Sequence, residues 1–255
     1  ENLLQKDRLV PDIVHSRVSP FTLQKYGDVF EIENKFLMIN PTFFDHLCDD
    51  KYLNYLLFSN FYPESILINS HTSQLLPSLV KKLKTNMLFV KPNVGSHGDN
   101  VCLVEKEEVN KITIDQPTIF QEQIESSAGI PGIFTGVHDL RVTIINNKIS
   151  YVYVKIAAEG TFLCNVSQGG RMQIIPIDQV PKEIISISKK IIHRFKNLPN
   201  LVYSIDFARN KDGKFKLIEM NGRPGILFNE EDQEAQQYYY FELVKNFINY
   251  EKKRK

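Results

Sequence analysis

The sequence carries almost no net charge: 31 Lys and Arg stand against 30 Asp and Glu, a formal +1. Without a global field, non-specific attraction to nucleic acid or to an anionic membrane has no support. Cysteine is scarce: Cys48, Cys102 and Cys164 are far apart, odd in number and in no Cys-x-x-Cys pattern. That argues against zinc and a disulfide framework and for a reducing, cytoplasmic setting. No apolar run approaches the length of a membrane span, and no signal peptide opens the chain, which starts at Glu1 instead of Met. Internal repeats and low-complexity linkers are missing too. Neither a membrane nor a nucleic acid is expected as a partner. The basic run Lys252 to Lys255 reads as a solvated helix end in preference to a nucleic-acid or sorting handle. What remains is an ordinary globular composition, 42% hydrophobic and 24% charged over 255 residues, enough for one large domain or two modest ones.

Hydrophobic periodicity organises the chain. An apolar-alternating piece lies around Val29–Ile39. Pro41 to Ser59 reads as one helix, with Phe43, Phe44, Leu47, Leu53, Leu56 and Leu57 at helical spacing, ended by Pro63. Gln74–Lys84 reads as a second helix, interrupted by Pro77. Met87–Lys91 and Val101–Glu105 read as strands around the polar turn Pro92 to Gly98. Thr118–Ile124 is another strand, followed by a small-residue loop from Ser126 to Gly136. Asp139–Asn146 and Ile149–Ile156 form an antiparallel pair through Asn146-Asn147-Lys148, which suits positive φ. Ile184, Ile187, Ser188, Ile191 and Phe195 mark one helix face. Leu201–Arg209 and Lys214–Asn221 flank Asp212-Gly213, the strongest hairpin signal in the chain, and a last helix starts near Glu234. Hairpins dominate, so the expected class is α+β.

With Asp212-Gly213 as a two-residue turn, Asp206 falls opposite Glu219 and Ser204 opposite Asn221. Asp206, Glu219 and Asn221 then share one face, while Leu201, Tyr203, Ile205 and Phe207 point into the core. Carboxylates directly across a ladder have Cβ atoms about 5 Å apart and repel by about 3 kcal/mol at an effective dielectric of about 20. A raised pKa, a nearby cation (Arg209 or Arg223) or a divalent metal would relieve this. Asp, Glu and Asn supply the all-oxygen donor set magnesium prefers. The loop Lys91-Pro92-Asn93-Val94-Gly95-Ser96-His97-Gly98 is not a Walker A motif, because its lysine precedes the glycines. Its glycines still let backbone N–H groups approach phosphate oxygens, and Lys91 adds a fixed charge. A plain hairpin tip is the bland alternative. For Cys164 it is a packing thiol, and for His97 a solvated loop histidine.

The order of these pieces is more specific than any one of them. Lys91 with its glycine-bearing hairpin is followed by Phe120-Gln121-Glu122-Gln123-Ile124, Asp139-Leu140-Arg141, Glu159-Gly160-Thr161-Phe162, Asn165, Gly169-Gly170-Arg171, Asp206 and Glu219-Met220-Asn221-Gly222. This order resembles the ATP-grasp superfamily, in particular its glutathione synthetase and ribosomal-protein glutamate ligase branch. Asn40-Pro41 through Asp50-Lys51 to Pro63-Glu64-Ser65 looks like that family's leading helix. Pro11 to Val14 and Arg223-Pro224-Gly225 are similar to spore-coat-associated ATP-grasp proteins.

The resemblance implies two α+β lobes whose antiparallel sheets sandwich ATP. Residues 1–50 would be a shortened or divergent N-terminal region, 51–122 the small lobe with its lid, and 123–255 the large lobe with the metal site. It implies that Lys51, Lys91, Ser96 and Gly98 meet the phosphates. Glu122, Gln123 and Ile124 would form the adenine hinge, and Asp139 would contact the nucleotide. Asp206, Glu219 and Asn221 would hold Mg2+ or Mn2+. Arg141, Lys155, Asn165 and Arg171 would surround an acyl phosphate. A three-residue turn at Asn146–Lys148 sets Lys155 opposite Asp139, on the face of Arg141. Lys155 stands where relatives usually have arginine. The implied activity is an ATP-dependent ligase joining a carboxylate donor to an amine (amino acid or peptide) or thiol acceptor. A nonenzymatic ATP-binding scaffold, an ATP-grasp kinase acting on an alcohol, and a homo-oligomer stay open at this point.

Overall fold

The computed structural model describes residues 11–18, 29–95, 98–157, 161, 164, 171–198, 200–225 and 233–254. Along the chain come β1 (Ile13–His15), α1 (Val29–Lys35), β2 (Leu37–Ile39), α2 (Thr42–Asp49), α3 (Lys51–Phe58), β3 (Ser65–Ile68) and α4 (Leu76–Val80). They are followed by β4 (Met87–Pro92), β5 (Cys102–Glu105), β6 (Thr118–Glu122), β7 (His138–Ile145), β8 (Lys148–Ile156) and β9 (Arg171–Ile175). Then come α5 (Lys182–Arg194), β10 (Val202–Arg209), β11 (Phe215–Asn221) and α6 (Gln233–Arg254). An antiparallel four-stranded sheet runs β3-β6-β4-β5, and an antiparallel five-stranded sheet runs β11-β10-β7-β8-β9. β1 and β2 form a small parallel pair. The α+β expectation therefore holds. Among the described residues no helix is long and apolar enough to cross a membrane.

Three local expectations change. The single helix over 41–59 is broken at Asp50, which is extended (φ −86°, ψ 99°) and caps α3 by accepting the Leu53 N–H at 2.8 Å. Asn54 meets the carbonyls freed by the break, donating to Leu47, Cys48 and Asp50. Only Leu76–Val80 of the second expected helix is α-helical, with Pro77 in its first turn, where a missing N–H costs nothing. The alternating piece at 29–39 is a helix followed by a short strand.

Both hairpin turns differ from expectation, yet each register at the site stands. In the last hairpin, Asn210 and Lys214 close a three-residue loop with Gly213 at φ +82°. That shifts the pairing near the turn by one residue, and a bulge at Ile218 restores it, so Asp206 still faces Glu219 and Ser204 faces Asn221. Asn146 and Asn147, at φ 49° and 61°, make a two-residue turn between β7 and β8. A bulge at Ser150 then returns Lys155 to its place opposite Asp139.

Strand alternation divides the five-stranded sheet into two faces. Leu140, Val142, Val152, Val154, Tyr203, Ile205 and Phe207 pack against Phe44, Phe58, Ile184 and Ile191 from α2, α3 and α5. Each such buried side chain contributes about 1.5–3 kcal/mol. Asp139, Arg141, Lys155, Asp206 and Glu219 are thereby turned to the other face. One end of that face is covered by α6, whose Tyr239 and Leu243 pack with Ile145, Tyr151, Tyr153 and Val202. The charged end faces the four-stranded sheet, which has its own core of Ile68, Leu88, Val90 and Phe120. Tyr55, Phe58 and Tyr62 lie in the core of the five-stranded sheet, so the small sheet begins after Pro63.

Candidate active site

A cavity of about 180 Å³ lies between the two sheets. Lys91 and Gln121 line it from the four-stranded sheet, and Asp139, Lys155 and Glu219 from the five-stranded one. Lys51, Gly95 and Gly98 close one side, and Gln123 and Ile124 another. The buried Lys91 ammonium donates to Gln121 Oε1 at 2.9 Å; Gln121 Nε2 in turn donates to Ser65 Oγ at 2.8 Å. Lys51 Nζ donates to the Gly95 carbonyl at 2.6 Å. Burial, helped by the neighbouring Lys51 charge, pulls the Lys91 pKa down to about 8. Burial also lowers Lys51, against the pull of Glu219. Among the described residues neither ammonium group has a carboxylate hydrogen-bond partner, which leaves positive charge available to a polyanion.

Across the cavity the charges are interleaved. Arg141 Nε and Nη2 donate to the two Asp206 oxygens at 2.6 Å each, and Lys155 Nζ donates to Asp206 Oδ2 at 2.7 Å. Lys155 also pairs with Asp139 at 3.1 Å, and Arg141 Nη2 lies 3.7 Å from Glu219. Burial pushes the Asp206 carboxyl up, but Arg141 and Lys155 outweigh it and hold the pKa at about 2. Burial and the Arg141 charge push Lys155 down, yet the surrounding carboxylates keep it above the usual lysine range. Asp139 is raised, chiefly by burial. The cations relieving the Asp206–Glu219 repulsion are thus Arg141 and Lys155, not Arg209 or Arg223. Sheet order explains this: β10 lies between β11 and β7, so Asp206 pairs directly with Arg141.

The RimK-like ATP-grasp domain model matches residues 56–237, well over half of the chain. The chain belongs to the RimK-like ATP-grasp family. Its relatives include probable alpha-L-glutamate ligases of Stutzerimonas stutzeri (strain A1501), 25% identical over 168 residues, and of Coxiella burnetii (strain RSA 493 / Nine Mile phase I), 26% identical over 163 residues. These alignments cover 64% and 62% of this chain but 51% and 49% of the relatives. The chain thus spans about half the length of the glutamate-ligase relatives it matches. Among solved structures, ATP-grasp ligase PsnB with a minimal precursor aligns with TM-score 0.62 and 14% identity, covering 93% of this chain and 79% of that one. D-alanyl-alanine synthetase A from Vibrio cholerae aligns with TM-score 0.64 and 14% identity, covering 93% and 77%. These two likenesses show the ATP-grasp fold.

Of the residues singled out in the sequence, Lys51, Lys91, Gly98, Gln123, Ile124, Asp139, Lys155 and Glu219 line this ATP-grasp cavity. Arg141 and Asp206 sit directly behind them, buried. Glu122 is turned away, accepting the Lys84 N–H with its carboxylate. Arg171 pairs with Ile156, which sets it on the sheet face opposite Lys155, and it is exposed. Ser96, His97 and Asn165 lie outside the described residues. Cys164 lines the cavity, but burial pushes its thiol well up, so it is a packing group and a poor nucleophile. Sequence reading missed Gln121 as the holder of Lys91, because the two meet diagonally across β4 and β6, with Lys91 opposite Ile119 and Gln121 opposite Phe89.

The metal donor set can be tested on this geometry. A carboxylate offers about four lone-pair sites, and three on Asp206 are taken by Arg141 and Lys155. Glu219 is a carboxylate of the β10–β11 hairpin that opens to the cavity, and Asn221 Oδ1 accepts the Arg223 N–H at 3.0 Å with a lone pair to spare. The oxygen donors of Glu219 and Asn221 suit Mg2+, which keeps waters and takes one or two carboxylates plus substrate phosphates. Glu219 would be the principal ligand, with Asn221 and the remaining Asp206 site in support.

Proposed function

We propose that this chain is the catalytic core of an ATP- and Mg2+-dependent carboxylate–amine ligase that uses glutamate or a glutamate-containing peptide. The observation that carries this reading is the joint placement of Arg141 and Lys155, braced by Asp206, across a cavity from Lys91 and Lys51. One pair of cations can hold the phosphates while the other meets the carboxylate being activated. Lys51 and Lys91 bind the phosphate chain, and backbone groups near Gln123 and Ile124 receive the adenine. Lys155 and the Arg141 guanidinium, whose Nη1 is not used on Asp206, offset charge on the acyl phosphate and its flanking transition states. Bound Mg2+ supplies further neutralisation of the phosphates. Asp206 holds Lys155 at the cavity wall and Arg141 directly behind it. A carboxylate oxygen attacks the γ-phosphorus with ADP leaving, and the amine then attacks the acyl phosphate carbonyl, releasing inorganic phosphate and a proton. The names of the glutamate-ligase relatives support glutamate as a substrate.

The test is release of ADP and phosphate with glutamate and a panel of amines and peptides. Carboxylate-dependent release with a new amide in the mass spectrum is expected. A phosphorylated alcohol would indicate a kinase instead, and nucleotide binding without turnover across the panel would indicate a scaffold.

A pH dependence follows from Lys91. Its pKa near 8 means that the charge is full at pH 6.5 and is lost as pH rises through 8. ATP affinity measured by calorimetry should fall between pH 7 and 9. Lys91→Met should bind ATP weakly throughout and remove most of that slope; a wild-type affinity flat over this range would count against Lys91 as a phosphate group.

A further inference from the structure

A second ionic cluster lies outside the cavity, at the end of β11. Arg223 Nη2 bonds both Asp49 oxygens, at 2.5 and 2.7 Å, and Nη1 lies 3.3 Å from Asp45 Oδ2. Asp45 Oδ1 accepts from Asn40 Nδ2 at 2.9 Å, and the same amide donates to the Gly222 and Val202 carbonyls at 2.8 Å. Gly222 is required by this packing, because a Cβ there would lie 2.5 Å from Asp45 Oδ1. Gly222→Ala should therefore lower the midpoint of urea unfolding, as overpacking does.

The cluster connects two parts of the candidate active site. On one side, Arg223 is two residues from Asn221 and donates its own N–H to the Asn221 side chain. On the other, Asp49 ends α2 just before the break at Asp50, and Lys51 opens α3. Lys51 N–H donates to the Asn93 carbonyl, Tyr52 N–H to Asn93 Oδ1 at 2.8 Å, and Lys51 Nζ to Gly95. A continuous set of polar contacts thus runs from the Glu219–Asn221 strand to the phosphate lysine and the base of the glycine loop.

We propose that Arg223 is a positioning residue: by bridging Asp45 and Asp49 it fixes the distance between the metal-facing end of β11 and Lys51, so that both reach the same phosphate chain. The proposal rests on the reading that the cavity takes a metal–nucleotide complex. The chemistry calls for arginine. A planar guanidinium serves two carboxylates at once, whereas an ammonium is a single point charge. Both carboxylates come from one helix, so a lysine reaching only one would leave α2 free to rotate relative to β11.

The experiment measures Mn2+ affinity by electron paramagnetic resonance in the full chain with a non-hydrolysable ATP analogue. Wild type, Arg223→Lys, Asp49→Asn and the double variant are compared, alongside thermal midpoints. Each single variant should bind Mn2+ about tenfold or more weakly, as for groups that orient metal ligands. The double variant should be no weaker than the worse single one, because both remove one linkage. Wild-type Mn2+ affinity in folded Arg223→Lys and Asp49→Asn would overturn the positioning role, whatever their thermal midpoints. If Arg223→Lys does not fold, Asp49→Asn decides alone by the same criterion. A wild-type chain that binds neither Mn2+ nor the analogue would overturn this proposal together with the nucleotide reading. Intact Mn2+ coupling without amide formation would sustain it and count only against ligation.

Discussion

Glu219→Gln is expected to lower turnover about a hundredfold or more, because several kcal/mol of lost metal stabilisation converts at about 1.4 kcal/mol per tenfold. The fold should be unaffected. The Glu219 side chain is 30% exposed, and the cation nearest it, Arg141, is 3.7 Å away. Its carboxylate faces the cavity, so its replacement removes a charge directed at ligand and leaves little unpaired behind. Calorimetric titration with Mg2+ and ATP should show weaker metal-dependent binding, while the thermal midpoint stays within a degree or two of wild type. Unchanged turnover would sink the metal assignment and, with it, the division of labour between Glu219 and Asp206.

Arg141→Ala should behave differently, because Arg141 has a structural task as well as its proposed catalytic one. Its removal strips the bidentate partner from Asp206, whose side chain is only 1% exposed. Breaking a buried ion pair from one side costs about 3–5 kcal/mol, since a charge is left in a poor solvent. Lys155 remains at 2.7 Å and places the expected loss toward the lower end of that range. Adding Asp206→Asn should recover part of the stability, because the orphaned charge is gone, but none of the turnover. Urea unfolding of wild type, Arg141→Ala and the double variant, together with ADP release, tests both halves. Wild-type stability in Arg141→Ala would show that the pair does not brace the site.

The contrast between these variants marks what could be read before the fold was seen. Asp206 alternates with the core residues Tyr203, Ile205 and Phe207, and Glu219 lies between Ile218 and Met220, so cross-strand pairing in the hairpin puts the two carboxylates on one face. Strict alternation would set Leu217 on that face too, and only the bulge at Ile218 returns it to the core. The turn itself was misread, as two residues instead of three, and the pairing survived because Ile218 bulges out to compensate. The same holds at Ser150 for Lys155 and Asp139. Local alternation carries this information because burial of the apolar face penalises any one-residue slip. The helix break at Asp50 was less legible. Its apolar spacing continues through the break, and only the Asp50 cap on the Leu53 N–H and the contacts of Asn54 reveal it.

By itself, the sequence determined the α+β class, the hairpins, the order of the ATP-grasp motifs and two separate face assignments, Asp206 with Glu219 on one hairpin and Asp139 with Arg141 and Lys155 on the other, which the β7–β10 pairing then joins into one face. These depend on period-two alternation, on turn residues such as Asp212-Gly213, and on motif order, all of them properties of short segments or of their succession. Only the tertiary structure decided who neutralises whom. Arg141 meets Asp206 because β7 and β10 are sheet neighbours 65 residues apart. Lys91 is held by Gln121, and Arg223 turns from the cavity to Asp45 and Asp49, through strands and helices distant in sequence. Charge pairing acts through space over a few ångströms, so its partners are set by sheet order and helix packing, which no local pattern encodes.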